Sequence, residues 1–366
     1  MRNTFSLAIL TVTLSISSVF AERTAFEPTK PWPDNNGVHI NAHGGGILFH
    51  QGLYYWFGEH KTQGRRGNTA QVGVHCYSST DLYNWKDEAV ALHVSDDPES
   101  EIVRGCVIER PKVIYNPKTK KFVMWFHLEL RGQGYTAART AVAVSDTVTG
   151  PYTYLRSFRP NAGKHPVNVR PRDLRPGPEN YFHRDIESGQ MARDMTLFVD
   201  EDGKAYHIAA AEENYTLHIS LLTDDFLDFT GIFSRVLIRM HREAPAICKR
   251  NGRYYLLTSG CTGWAPNEAS YAVADDIFGP YEPMGNPCRS VNPDNGMGPE
   301  LTFGGQSTFI LPVEGKSDAF IAMFDVWQPR NPIDGTYIWL PIEFDADDRM
   351  VIVYREKWDL SVFDPQ

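Results

Sequence analysis

The chain has 366 residues, with 45 acidic against 36 basic side chains and a formal net charge of −9. An acidic chain disfavours nucleic acid and anionic membrane surfaces as partners, and an aromatic share of 12% excludes intrinsic disorder. The 29 glycines and 24 prolines indicate many turns, more than a helical protein uses.

The first segment is typical of a signal peptide. A weakly positive start precedes an apolar run from Leu7 to Phe20, and Val19 and Ala21 are the small residues that a cleavage site requires. The run is too short to span a membrane. We therefore expect cleavage after Ala21 and export to the periplasm or the exterior. An uncleaved anchor is the alternative.

Five hairpins of one kind follow along the chain. Each consists of two short runs rich in β-branched and aromatic residues, separated by a turn of Gly, Asn, Asp or Pro, which predicts antiparallel strands. The paired strands are predicted at 46–50 and 53–57, 112–115 and 122–126, 196–199 and 205–208, 246–249 and 254–257, and 308–311 and 319–323.

A third strand and an acidic turn follow each of the first four hairpins. The turns lie at 78–81, 145–146, 223–225 and 274–276. The fifth unit ends instead with strands at 338–342 and 350–354. Small antiparallel sheets that recur in this way predict an all-β fold, a five-bladed β-propeller. A pair of β-sandwiches is the rival, but it does not explain the repeated order of hairpin and acidic turn.

No shift of composition divides residues 22–366, which predicts a single domain. The longest loop runs from Arg156 to Gln190, and it is expected to shape the substrate pocket. The chain has five cysteines, an odd number, and no spacing typical of zinc ligands. We expect small buried core cysteines with at most one disulfide, and we predict no cofactor and no metal ligand.

A propeller gathers the starts of its innermost strands around one axis, so the residues just before each hairpin form the candidate site. Three blades present a carboxylate there, one a histidine and one a glutamine. These residues are Glu109, Asp194, Glu243, His43 and Gln306. Buried carboxylates must be paired or functional. Beside many aromatic side chains they indicate glycoside hydrolysis, in which one carboxylic acid protonates the leaving oxygen and a second group manages the water or acts as nucleophile.

Two segments resemble motifs of glycoside hydrolase family 43. Residues 193–206, which begin Arg-Asp-Met-Thr, are similar to the family's middle motif, and residues 243–256, which begin Glu-Ala-Pro, are similar to its general-acid motif. The resemblance implies a five-bladed propeller that acts with inversion. It also implies that Glu243 is the general acid and that Asp194 orients it and raises its pKa.

The first blade departs from the pattern of the family, which has an Asp as the base there. This chain has Asn41-Ala42-His43-Gly44 at that point instead. This segment, together with Glu109-Arg110-Pro111 and Gly305-Gln306-Ser307, is similar to the exo-β-1,3-galactanase branch of the family, subfamily 24. The resemblance implies that Gln306 holds the attacking water by way of an imidic tautomer. It also implies that Glu109 lies nearby and either polarises Gln306 or binds the sugar. Glu109 acting directly as the base is the alternative.

Six side chains, His43 among them, are candidates for binding the sugar. Trp264 follows the hairpin of the acid, where it is placed to form a sugar platform, and the resemblance implies sugar binding for Glu59. The complete set is Glu59, His43, Tyr135, Asn214, Thr262 and Trp264. Other roles are the alternatives. Glu243 and Asp194 would be structural partners of Arg242 and Arg193, and Glu109 would pair with Arg110 or Arg104. Gln306 would be an inner-strand amide that only binds substrate, and the remaining alternatives are a structural role for His43, a plain surface acid for Glu59 and core packing for Trp264.

The predicted function is that of a secreted, monomeric, inverting exo-glycosidase that releases galactose from β-1,3-galactan, the backbone of arabinogalactan. Its partner is a polysaccharide or oligosaccharide substrate. An arabinofuranosidase or xylosidase of the same family is one alternative, and a carbohydrate-binding propeller without catalysis is another. Retention of Glu243 and Asp194 in their motifs favours an enzyme, because a binding module has no need of a tuned acid.

Overall fold

The computed structural model describes residues 22–364, so the predicted signal peptide at residues 1–21 lies outside the described residues. Over the described range there is no helix of the length and apolar character that crossing a membrane requires. The strands form five separate sheets, and each sheet consists of strands that follow one another in the chain. This arrangement excludes the rival pair of β-sandwiches.

Each sheet is one blade. The first has β1 (His43–His50), β2 (Leu53–Lys61), β3 (Gln71–Ser79) and β4 (Lys86–His93). The second has β5 (Val107–Asn116), β6 (Lys121–Glu129), β7 (Arg139–Ser145) and β8 (Thr153–Phe158). The third has β9 (Met195–Val199), β10 (Ala205–Ala211), β11 (Thr216–Leu222) and β12 (Phe229–Val236).

The fourth blade has β13 (Arg242–Arg250), β14 (Arg253–Gly260), β15 (Ser270–Ala274) and β16 (Glu282–Gly285). The fifth has β18 (Gln306–Pro312), β19 (Phe320–Val326), β20 (Thr336–Phe344) and β21 (Met350–Val353), and the short β17 (Cys288–Arg289) pairs with β21 in parallel. The helices are short: α1 (Tyr181–Arg184) and 3₁₀ turns at Gly67–Thr69, Pro299–Gly304, Pro332–Asp334 and Leu360–Phe363.

The innermost strands form a closed ring. Contacts run from β1 to β5, β5 to β9, β9 to β13, β13 to β18 and β18 back to β1. Five sheets around one axis are a five-bladed β-propeller, which confirms the predicted fold class.

The predicted hairpins are the first two strands of each blade. His50 lies opposite Leu53 across Gln51-Gly52, and Arg250 lies opposite Arg253 across Asn251-Gly252. All four turn residues have positive φ, between 50° and 86°. Turns of this kind match the twist of the strands, which is why Gly and Asn recur at these points of the sequence.

The acidic turns have a local cause. Asp81 Oδ1 accepts hydrogen bonds from the backbone N–H groups of Tyr83 and Asn84, both at 2.8 Å. Asp225 accepts from Leu227 at 3.0 Å in the third blade, and Asp276 accepts from Phe278 at 2.8 Å in the fourth. An Asp that binds the backbone two residues later stabilises a tight turn, so the first, third and fourth blades repeat one where the chain leaves the third strand. In the second blade the Ser145 hydroxyl takes this place and accepts from the backbone of Thr147 at 3.1 Å.

Aromatic rings fill the joint between the first and the last blade. The ring of Trp56 in β2 lies 4.8 Å from Trp339 and 4.7 Å from Tyr337, both in β20. The segment before β1 covers this joint, because Phe26 pairs with Trp358 and stacks on its ring at 4.3 Å. Buried aromatic pairs of this kind add to the stability gained from apolar area.

The long loop differs in part from the prediction. Arg156–Phe158 belong to β8, and residues 159–190 then form an ordered loop that includes α1. The backbone N–H of Val167 donates to the Phe233 carbonyl at 2.7 Å, and Asn168 bonds both backbone groups of Arg235. The loop is therefore fastened to the outer strand of the third blade, away from the propeller axis.

Candidate active site

A β-bulge near the start of four innermost strands directs the candidate side chains toward the axis. Pairing slips between His43 and Gly46, between Glu109 and Lys112, between Glu243 and Ala246, and between Ser307 and Phe309. A bulge leaves one extra residue unpaired and re-aims its neighbours. The sequence predicted that the five axial candidates lie just before the innermost strands. Asp194 does precede its strand, whereas the other four lie inside theirs, namely His43, Glu109, Glu243 and Gln306.

The bulges and the loops above them enclose a pocket of about 390 Å³ on the axis. Eight of the ten predicted site residues line it: Glu59, Glu109, Tyr135, Asp194, Asn214, Glu243, Trp264 and Gln306. The residues come from all five blades, which is why no single stretch of sequence contains the site.

His43 and Thr262 are the two predicted residues that do not line the pocket. His43 is 1% exposed, and its ring stacks on Tyr337 at 4.8 Å beneath the site. Thr262 donates to the Ala265 carbonyl and accepts from Asn267, both at 2.6 Å, so its hydroxyl holds a loop together. Neither residue lines the pocket, and the prediction that they contact sugar stays a prediction.

Glu243 lies between two side-chain amides. Its Oε1 accepts from Gln306 Nε2 and its Oε2 accepts from Asn214 Nδ2, each at 3.0 Å. Burial, together with the negative charge of Asp194, raises the pKa of Glu243 to about 8. The side chain is therefore a carboxylic acid at neutral pH, which is the state a proton donor needs.

Asp194 faces Arg110 rather than the neighbouring Arg193. Arg110 donates to Asp194 Oδ2 at 2.8 Å and to Gln306 Oε1 at 2.7 Å, and its backbone N–H donates to Glu59 at 3.1 Å. Because Arg110 is almost fully buried, its guanidinium and its backbone N–H together fix three site residues in one arrangement. Arg193 pairs with Glu213 instead, at 2.9 Å, so the alternative in which Asp194 merely balances Arg193 is wrong.

Gln306 has a protein partner at each of its hydrogen-bonding positions. Its oxygen accepts from Arg110 and from Trp327 Nε1 at 2.8 Å, and its nitrogen donates to Glu243 and to Ser259 Oγ at 3.0 Å. An amide has two acceptor positions and two donors, so a water can contact Gln306 only by replacing one of these partners. Two donors on the oxygen also polarise the amide.

Glu109 is held as a carboxylate. Its Oε2 lies 2.9 Å from His127 Nδ1, and its Oε1 accepts from the Tyr135 hydroxyl at 2.6 Å and from Asn68 at 2.5 Å. Burial opposes ionisation, but the ion pair with His127 and the bond from Tyr135 lower the pKa of Glu109 below its ordinary value. Glu109 pairs neither with Arg110 nor with Arg104, the two partners considered from the sequence.

His127 is a cation between two carboxylates. Its Nε2 lies 2.9 Å from Glu129, on the side opposite Glu109. Burial alone would lower the pKa of His127, but the two carboxylates raise it to about 9. The charge of His127 is therefore present at neutral pH and keeps Glu109 ionised.

The fourth carboxylate, Glu59, is buried with a counter-ion. It pairs with Lys61 in the same strand, and the ammonium of Lys61 lies 5.3 Å from the ring centre of Trp327. Trp327 and Trp264 meet edge to face at 5.4 Å and form an aromatic wall of the pocket. Such a wall suits the apolar face of a sugar ring, and the carboxylates suit its hydroxyls.

The structure adds residues that the sequence argument missed or misplaced. The pocket also contains Asn68, Arg110, His127 and Trp327. Arg110 was considered only as a counter-ion of Glu109. His127 lies directly opposite Glu109 in the hairpin register, so strand pairing alone could have found it. Asn68 lies in the 3₁₀ turn Gly67–Thr69 and Trp327 lies on a loop, where the strand pattern gives no signal.

The cysteines follow the prediction with one exception. All five are free thiols and four are buried, so the allowed disulfide is not formed. Cys261 is exposed and lies on the pocket wall. The thiol itself is partly enclosed by the pocket, and this burial, together with the acidic side chains of Glu243 and Asp194, raises its pKa to about 12, so it is not a nucleophile at neutral pH.

One trio presents the ligand types of a metal site. Ligand atoms of Glu109, His127 and Asp194 lie within 4.8 Å of one another. His127 is already paired with two carboxylates and Asp194 with Arg110, so a cation would compete with both positive charges. The trio fits an internal ion-pair network better than a metal centre.

The long loop does not line the active-site pocket, contrary to the expectation from its length. Its nearest part, Arg159 and Arg184, lines a separate cleft beside Arg193. The loop is held away because it is fastened to the outer strand of the third blade.

A propeller whose axis holds a protonated carboxylic acid, three further carboxylates and an aromatic wall has the site of an enzyme that hydrolyses glycosidic bonds. The family model "Glycosyl hydrolases family 43" matches residues 177–337. The structure of a GH43 β-1,3-galactosidase, BT3683, with galactodeoxynojirimycin is 48% identical, with a TM-score of 0.86, and the alignment covers 92% of this chain and 100% of that one. The chain belongs to glycoside hydrolase family 43, as its motifs predicted.

Two further solved structures support the galactanase branch. An exo-β-1,3-galactanase from Clostridium thermocellum is 37% identical with a TM-score of 0.75, over 91% of this chain and 66% of that one. An exo-β-1,3-galactanase from Phanerochaete chrysosporium, with β-1,3-galactotriose, is 31% identical with a TM-score of 0.77, over 92% of this chain and 68% of that one. The comparison with curated proteins gives no match.

Proposed function

We propose that the protein is an exported, inverting exo-glycosidase that releases galactose from β-1,3-galactan. The observation that supports this most is Glu243, a carboxylic acid kept protonated by burial and by Asp194 in a pocket with an aromatic wall. The substrate is inferred from relatives whose names give β-1,3-galactosidase or exo-β-1,3-galactanase activity, one of them with galactodeoxynojirimycin.

Product analysis tests this substrate. The protein is incubated with β-1,3-galactan, arabinan and xylan, and the released sugars are separated and quantified. We expect galactose from the galactan and no monosaccharide from the other two. Release of arabinose or xylose would favour the rival glycosidases, and binding of galactan without any product would favour a carbohydrate-binding propeller.

In the proposed reaction Glu243 gives its proton to the glycosidic oxygen as the bond from that oxygen to C1 of galactose breaks. A water oxygen forms the new bond to C1 from the opposite face, so the configuration inverts. The proton that this water loses passes through Gln306 to solvent, and Glu243 takes up a proton from solvent, which restores the acid. Asp194 keeps the pKa of Glu243 high, and Gln306 orients the water with an amide polarised by Arg110 and Trp327. Glu59, Glu109, Tyr135, Asn214 and Trp264 bind the sugar.

Replacement of Gln306 by Ala tests the water-holding role. We expect kcat on β-1,3-galacto-oligosaccharides to fall by about 10²-fold while KM changes little, because an orienting group acts mainly in the transition state. Ser259→Ala is the matched control, since it removes one partner of Gln306 and leaves the amide in place. Near-normal turnover by Gln306→Ala would transfer the role to Glu109.

The pH profile tests the coupling between Asp194 and Glu243. The activity of the wild type is expected to fall as the pH rises through about 8, where Glu243 loses its proton. Asp194→Asn removes a negative charge that disfavours ionisation, so the alkaline limb of kcat/KM should move about one unit toward lower pH. An unchanged limb would show that Asp194 does not control the pKa of Glu243.

We also propose that residues 22–366 are one catalytic domain that acts as a monomer after cleavage behind Ala21. The apolar run of residues 7–20 and the small residues Val19 and Ala21 support cleavage. Amino-terminal sequencing of the exported protein tests the cleavage site, and its mass in solution tests the monomer. A first residue other than Glu22 would contradict the cleavage site.

A further inference from the structure

A second cavity, of about 500 Å³, adjoins the active-site pocket, and we call it the side cleft. The two share Asn68, Tyr135 and Trp264 as a common wall. Asn68 Nδ2 donates to the Tyr135 hydroxyl at 2.5 Å, so these two side chains form the ridge between them. A saccharide with its end in the pocket therefore has a contiguous second surface within reach.

The side cleft differs from the pocket in its charged residues. The described residues that line the side cleft include Arg65 and Arg66 but no Asp or Glu, whereas acidic side chains and cations both line the pocket. Both arginines are exposed, and neither forms an ion pair with a carboxylate of the described chain. In a protein with a net charge of −9, two neighbouring unpaired guanidinium groups in one cavity indicate an anionic ligand.

Other parts of the cleft wall are formed by glycine backbone with free space above it. Gly132 and Gly134 both have positive φ, and a Cβ added to either would meet no atom within 4 Å. Gly105 also lines the cleft. The side chain of Arg131 lies beside Gly105, because a Cβ added to Gly105 would lie 3.4 Å from Cδ of Arg131. Arg131 has no ion pair in the described chain either. The cleft therefore has room for a sugar, and Arg131 is a third cation at its edge.

We propose that the side cleft binds a carboxylate-bearing sugar, a uronic acid carried as a substituent by the galactan chain whose terminal galactose occupies the pocket. Guanidinium groups bind a planar carboxylate through two parallel N–H bonds, and the face of Trp264 suits the sugar ring. This inference rests on the proposed function, because it takes the neighbouring pocket to hold galactose.

The test compares two β-1,3-galacto-oligosaccharides that differ by one uronic acid substituent. Wild type is compared with the double variant Arg65→Gln/Arg66→Gln. The control is Arg172→Gln/Arg175→Gln, which makes the same charge change at two exposed arginines that line neither cavity. We expect wild type and control to favour the uronate-bearing chain in kcat/KM by about 10-fold, a preference that added salt weakens.

The double variant should lose this preference and keep wild-type kcat/KM on the neutral chain, since both side chains are on the surface and outside the active-site pocket. An equal preference in wild type and double variant would overturn the inference, as would faster hydrolysis of the neutral chain by wild type. A sulfated chain preferred over the uronate-bearing one would contradict the carboxylate. Failure of the proposed function is distinguishable, because the neutral chain then releases no galactose.

Discussion

Glu243→Gln is expected to lower the release of galactose from β-1,3-galacto-oligosaccharides by about 10³-fold, within the range that a general acid contributes. The replacement has the same shape but no proton to give. Both oxygens of Glu243 accept hydrogen bonds from N–H donors. In the Gln variant one of these oxygens becomes an NH₂ group, which faces an N–H donor. Asn214 can remove this clash by turning its amide so that its oxygen accepts from the new NH₂ group. Substrate binding should therefore survive, and calorimetry with the oligosaccharide measures it.

The leaving group separates the acid role from a loss of structure. An aryl galactoside with an acidic phenol as leaving group needs little protonation, so its hydrolysis should fall far less in Glu243→Gln than that of the oligosaccharide. Glu282→Gln, at an exposed position of β16, is the control and should keep wild-type turnover on both. Equal losses on both substrates, or more than a tenth of wild-type turnover on the oligosaccharide, would contradict the assignment of the acid.

Arg110→Met is expected to have the largest effect on folding. Arg110 is almost fully buried, and its guanidinium bonds Asp194, Gln306 and the Ser307 carbonyl. The neighbouring carboxylates raise the pKa of Arg110 despite its burial, so the group is a cation throughout. Removing one partner of a buried ion pair leaves an uncompensated charge and costs about 3–5 kcal/mol, which urea unfolding measures as a lower free energy of unfolding.

The same variant should also lose most activity, because Asp194 and Gln306 lose the group that orients both. Arg110→Lys keeps the charge without the planar fork and is expected to recover part of the stability but little of the turnover. Arg156→Met removes a surface pair with Asp228 and should cost less than about 1 kcal/mol. A cost for Arg110→Met no larger than that of this control would contradict a central role for Arg110.

The sequence predicted the blades because each repeats a local signal. Two-residue turns such as Asn251-Gly252 need positive φ, and turn residues such as Asp81 bind their own backbone. Both effects act within a few residues, so they are visible in a single chain. The ring of innermost strands then follows from the number of repeats, and with it the convergence of Glu109, Asp194 and Glu243.

The remainder of the site depends on contacts between distant parts of the chain. Whether His43 reaches the pocket is decided by the bulge in β1 and by the ring of Tyr337 from the last blade. Arg110 and Asp194 meet across 84 residues, and Trp327 meets Gln306 from a loop after β19. Length alone suggested that the long loop shapes the pocket, but its hydrogen bonds to the third blade direct it elsewhere.

The most direct test of an inverting exo-galactanase is the anomeric form of the first sugar released from β-1,3-galactan, followed by proton NMR before the anomers equilibrate. An exo-acting enzyme that inverts configuration releases single galactose units in the α form from a β-linked chain. We expect α-galactose as the first product, with the β form appearing only as the sugar equilibrates. Galactose first seen in the β form, or longer oligosaccharides before any galactose, would contradict it.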